Sequence, residues 1–186
     1  MEMKDKKAFR KKIYKMLNNK IINSINQQIQ KELYSSYLYL EMANYYEEKG
    51  LKGFAQYFVV QAQEERDHAL YFRDYLLLRN ARVISLKIDE PYSNYQDIRE
   101  PLVLQIKHEQ EVTKSISDIL DIAIKERDFA TQEFLQWFIK EQAEEESKAE
   151  NLLTEYDFVS DNKAALIVLD GKLATRIYQK VTPVLA

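Results

Sequence analysis

Glu32, Tyr39, Glu65, His68, Glu109, Gln142 and Glu145 are polar residues on stripes of the sequence that are otherwise mostly apolar. The stripes recur every three to four positions, the helical period. They read Ile22, Ile25, Ile29, Glu32, Ser36, Tyr39, Ala43, Tyr46; Phe54, Phe58, Gln61, Glu65, His68, Phe72, Leu76; Ile98, Leu102, Gln105, Glu109, Val112, Ile116, Ile119, Ala123; and Leu135, Phe138, Gln142, Glu145, Ala149, Leu152, Tyr156. Burying an unpaired carboxylate is costly, and carboxylates that face one another raise each other's pKa and favour protonation. A cation among them removes both penalties.

Four Glu and one His supply hard oxygen donors and one borderline nitrogen, a set suited to iron or manganese rather than to zinc, whose closed sites use N and S ligands. A di-iron bundle takes a lone Glu from each of two helices and a Glu-x-x-His pair from each of the other two. Glu32 and Glu109 are the lone carboxylates, and Glu65-Arg66-Asp67-His68 is one complete pair. Gln142-Ala143-Glu144-Glu145 departs from the second pair. The expected result is a tight first ion at Glu32, Glu65 and His68, and a looser second at Glu65, Glu109 and Glu145 with Gln142 nearby.

Four long helices must position these side chains. "EKGLKG" supplies a tight connection at Gly50 and Gly53, and the second helix is expected from about Leu51 to Arg79. "KERDF" joins the third and fourth helices. Short connections make each pair an antiparallel hairpin. The middle segment, "NARVISLKIDEPYSNYQD" from Asn80 to Asp97, is long. A helix of about 28 residues is roughly 42 Å long and about 18 extended residues reach roughly 60 Å, so this segment can cross the whole bundle. "NKAALIVLDGKLA" predicts a short fifth helix after a break at "FVSD". The expected fold is all-α: two hairpins joined by one crossover, with a basic extension at 1–15, the bundle and fifth helix within 16–174 and a tail at 175–186.

Composition agrees with this. Only three Gly and three Pro occur in 186 residues, which favours long helices, and 46% apolar against 31% charged residues fits a globular chain. With no Cys, disulfides and thiolate metal sites are excluded. A formal charge of −3 argues against a nucleic-acid binder. There is no apolar run of membrane-spanning length and no signal-peptide core, so a cytoplasmic setting without a membrane partner is expected.

The motifs "KELYSSYLYL", "QEERDHA", "KHEQ" and "FLQWFIKEQAEEE", in that order, resemble the ferritin family, most closely the bacterial non-haem ferritins, over about Met16 to Ala174. The resemblance implies a ferroxidase that oxidises Fe(II) with O₂ or H₂O₂ and a hollow homo-oligomer of about 24 subunits that stores ferric mineral. It places the first iron at Glu32, Glu65 and His68 and the second at Glu65, Glu109 and Glu145. Glu64, Glu141 and Glu144 match a third, neighbouring iron site. Tyr39 matches a tyrosine expected to donate an electron, and Trp137 a nearby tryptophan. The haem-ligating Met of bacterioferritins falls at Arg66, so no haem is expected. The same likeness has the fifth helix pack on neighbouring subunits.

Plainer readings compete. His68 taken alone reads as a satisfied core histidine, and the constellation overrides that. His108, next to Glu109 in sequence, falls off the stripe and reads as a residue of the surface or of the centre's surroundings. "EEESKAE" reads as a solvated face apart from Glu144 and Glu145, and "KDKKAFRKK" as a frayed extension. The rival functions are a di-iron oxygenase or radical-generating bundle, and a scaffold whose carboxylates hold structural metal.

Overall fold

In the computed structural model, residues 17–180 are described; the basic extension and residues 181–186 of the tail lie outside the described residues. Five helices follow one another: α1 (Asn19–Glu48), α2 (Lys52–Leu78), α3 (Glu100–Lys125), α4 (Phe129–Val159) and α5 (Lys163–Leu173). Their bounds fall close to those the apolar period predicts.

Local chemistry sets the ends. Asn18, Asp128 and Asn162 cap α1, α4 and α5, each side-chain oxygen accepting a backbone N–H of the first turn. At the end of α1, Gly50 has φ of +76°, Leu51 N–H donates to the Tyr46 carbonyl at 2.9 Å and Gly50 N–H to that of Glu47 at 3.0 Å. This is a Schellman closure, and it turns the chain back at once. Asn80 (φ +52°) and Arg127 (φ +53°) close α2 and α3 in the same way without glycine.

Gly53 differs from expectation. It lies in the first turn of α2 rather than in the connection, and a Cβ there would sit 1.7 Å from the Asp170 carbonyl oxygen of α5. α2 has no side-chain cap of its own; instead Asp170 Oδ1 accepts from Gly53 N–H at 2.8 Å and Phe54 N–H at 3.0 Å. A carboxylate on these free N–H groups also complements the helix dipole. The fifth helix is thereby docked on its own chain by a glycine-sized gap.

The segment between α2 and α3 runs beside α1. Asn26 accepts from Ile84 N–H at 2.7 Å and donates to the Arg82 carbonyl at 3.0 Å, while Tyr95 packs on Tyr45 with ring centroids 5.0 Å apart. From Asn26 to Tyr45 α1 rises about 28 Å, so the segment crosses most of the bundle. It delivers α3 beside the C-terminal end of α1, where Tyr46 Oη donates to the Ile98 carbonyl at 2.8 Å.

The apolar interior falls into two clusters. One holds Tyr39, Met42, Tyr46, Phe54 and Phe58, the other Ile21, Ile25, Phe72, Phe134 and Phe138. The buried polar residues, including Glu32, Gln61, Glu65, Gln105, Glu109, Gln142 and Glu145, lie along the helices between them.

Candidate metal centre

Each helix of the bundle presents its polar residues at mid-length, so the four stripes meet in one layer. Glu32 from α1 and Glu65 and His68 from α2 bring one donor atom each to within 4.8 Å of one another, and all three are buried. Among the described residues, six buried side-chain atoms have no hydrogen-bond partner: Glu32 Oε2, both oxygens of Glu65, His68 Nδ1, and the amide oxygens of Gln61 and Gln105. His68 Nδ1 is 3.4 Å from Glu65 Oε2. Four orphaned donors on three neighbouring residues are what a cation satisfies and what a dry core otherwise avoids.

The electrostatics point the same way. Burial, reinforced by the charge of Glu65, pushes Glu32 up to about 8. Burial with Glu109 and Glu145 nearby raises Glu65 well above the usual carboxylate range. Glu109 rises to about 7 through burial and Glu145, with Tyr39 and Gln142 pulling it down. Glu145 is the exception. Burial raises it, but Lys148 at 2.8 Å and a hydrogen bond from Gln61 at 2.8 Å outweigh that and hold it below its ordinary value.

Glu109 and Glu145 are thus already partnered. Tyr39 Oη donates to Glu109 Oε1 and Gln142 Nε2 to Glu109 Oε2 at 3.1 Å. Glu32 is oriented from behind: Lys31 donates to Ser115 (2.6 Å), Ser115 to Gln28 (2.5 Å) and Gln28 to Glu32 Oε1 (2.8 Å).

Glu64, Glu141 and Glu144 line one cavity of about 190 Å³, together with Asp67, His68 and Glu145. It places the three carboxylates that match a third site beside those of the centre. Trp137 packs edge-on to His68, ring centroids 5.6 Å apart, and to Tyr71 at 5.6 Å. His108 is half-buried, with Nε2 2.7 Å from Ser35 Oγ and its ring edge-on to Tyr39 at 5.9 Å. Burial pushes His108 down to about 4, which leaves it neutral at pH 7.

Sequence reasoning missed the residues that hold the carboxylates. Gln28 and Lys148 lie one turn from Glu32 and Glu145, so helical spacing could have found them. Arg176 and Tyr178 follow the last helix without any periodicity. Yet Arg176 pairs with Glu64 at 2.6 Å and Tyr178 donates to Asp67. No helix among the described residues is long and apolar enough to cross a membrane.

Comparison with known proteins agrees with this geometry. Residues 22–159 match the family model described as the ferritin-like domain. The sequence is 37% identical to a bacterial non-heme ferritin of Bacteroides fragilis over 161 residues, 87% of this chain and 100% of that one. It is 31% identical to one of Staphylococcus saprophyticus, covering 89% and 99% of the two chains. The fold matches an open pore ferritin from Archaeoglobus fulgidus with a TM-score of 0.85 at 38% identity, over 87% of this chain and 99% of the other. Four ordered motifs, the bundle that brings them together and these likenesses give one conclusion: the chain belongs to the ferritin family.

Proposed function

We propose that this protein oxidises Fe(II) at the buried carboxylate layer, with O₂ or H₂O₂ as electron acceptor, and stores the ferric product in the cavity of a 24-subunit cytoplasmic shell. The orphaned donors of Glu32, Glu65 and His68 carry the reading. Iron is here substrate and cargo. Glu32, Glu65 and His68 hold the first Fe(II); Glu65, Glu109 and Glu145 hold the second more loosely, with Gln142 orienting Glu109. Glu64, Glu141 and Glu144 receive a third ion at the adjoining cavity. Each Fe(II) gives up one electron to the acceptor, and Tyr39, whose hydroxyl donates to Glu109, would supply another.

The chain's own groups do the proton work. Carboxyls that are protonated in the metal-free core lose those protons when a divalent ion replaces them. The weaker second ligand set suits turnover, because a product gripped at both ends would block the centre.

Aerobic Fe(II) addition with native mass measurement tests the reading. The expected result is rapid oxidation, uptake of many irons per chain and a large closed assembly. Uptake that stops at two per chain points to an oxygenase, and no oxidation to a scaffold. The double variant Glu65→Ala with His68→Ala should lose at least about 100-fold in oxidation rate while staying folded; rapid oxidation in that variant would overturn the site.

A further inference from the structure

The segment after α5 returns along α2 instead of leaving the bundle. The Arg176 guanidinium lies 4.5 Å from the centroid of the Tyr57 ring, Nη1 donates to the Tyr57 carbonyl at 3.4 Å, and Nη2 donates to Glu64 Oε2 at 2.6 Å. Gln56 Nε2 holds the Arg176 carbonyl at 3.0 Å, and Tyr178 Oη donates to Asp67. Ile177, between these two anchors, is 78% exposed. Tyr178 and Gln179 also line the cavity that holds Glu64, Glu141 and Glu144. That cavity reaches His68, only 5% exposed and with Nδ1 unpartnered.

Arg176 therefore occupies an oxygen of one of the three carboxylates that would receive a metal ion there. The ion pair is partly open to solvent, its side chains 21% and 23% exposed. A divalent ion brings twice the charge, and it can draw on Glu141 and Glu144, which the single guanidinium does not contact. The two cations cannot share Glu64 Oε2 without facing each other at close range.

We propose that Arg176 is a built-in competitor for metal at this cavity, and that residues 175–180 form a strap which closes over it when empty and is released when a cation binds Glu64. This rests on the reading of Glu64, Glu141 and Glu144 as metal-binding. The strap's displacement is a separate claim about the chain itself.

The absence of cysteine allows a direct test. A nitroxide attached to Ile177→Cys in the otherwise full-length protein reports strap mobility by electron paramagnetic resonance, and Zn(II), diamagnetic and redox-inert, serves as the probe. The expected spectrum is restrained without metal and mobile once Zn(II) fills the cavity. Adding Arg176→Gln should make it mobile without Zn(II), and calorimetry should show that variant binding the cavity ion roughly three- to tenfold more tightly, as loss of a competing ion pair implies. A label already mobile in the metal-free protein overturns the strap. So does a label that stays restrained while calorimetry shows Zn(II) binding that Glu141→Gln with Glu144→Gln abolishes; the metal site then stands without the strap. If Zn(II) binds nowhere on the chain, the strap and the functional reading fall together.

Discussion

Neither carboxylate oxygen of Glu65 meets a hydrogen-bond partner in the dry core, whereas Glu145, on α4, is held by Lys148 and Gln61. Two carboxylates of one layer are thus prepared differently. Glu32, raised to about 8, and Glu109, raised to about 7, hold protons over much of the neutral range in the metal-free chain. For these groups the folded pKa lies above the unfolded one. Their contribution to metal-free stability is therefore fully present below the ordinary carboxylate pKa and is lost as pH rises through about 7 to 8. Metal binding removes that penalty. Calorimetry of Co(II) binding at pH 6.5–7, in buffers of different ionisation enthalpy, should show about one to three protons released per centre, and affinity should rise with pH up to about 8. Binding that ignores pH would contradict this. Tyr39→Phe deletes the donor to Glu109 without opening a cavity; it should leave the fold intact, slow Fe(II) oxidation roughly tenfold or less and remove any transient tyrosyl signal.

At the scale of elements, the bundle depends on how its ends are finished. Asp170 supplies from α5 the cap that α2 lacks, and Gly53 supplies the space for it. Asp170→Ala should lower stability by about 1 kcal/mol, the usual cost of a lost cap, measured by denaturant unfolding. Gly53→Ala should destabilise, against its intrinsic propensity. Alanine favours a helix by about 1 kcal/mol over glycine, but the added Cβ meets the backbone of α5, so α5 must leave its place. Circular dichroism should retain the four long helices while hydrogen exchange in 163–173 rises; a stabilised protein with unchanged exchange would refute the docking.

At the scale of the whole molecule, α5 buries Leu169 and Leu173 on its own bundle yet leaves Ile167 and Val168 exposed, at 69% and 73%. Exposed apolar side chains also run along α1 and the crossover, among them Tyr37, Leu40, Ile84 and Leu86. Ile167 and Val168, adjacent on one short helix, fit a contact between copies of the chain. Ile167→Asp with Val168→Asp should keep the helix content of a subunit and shift native mass to assemblies smaller than the proposed shell. An unchanged particle would place the contact elsewhere.

Period and residue type in one dimension were sufficient for the four stripes, the two hairpins, the crossover and the group Glu32, Glu65 and His68, because helical spacing alone decides which side chains share a face. The reason for a glycine at position 53, an oxygen of Asp170, lies over a hundred residues away and leaves no local signal. The support of Glu145 by Gln61 and the pairing of Arg176 with Glu64 were equally invisible, since contacts between elements leave no period in a sequence. Periodicity thus determined which carboxylates face the core. Same-helix partners such as Gln28 and Lys148 hold some of their oxygens, and the packing of one helix against another, which puts Gln61 on Glu145 and Tyr39 on Glu109, decided the rest.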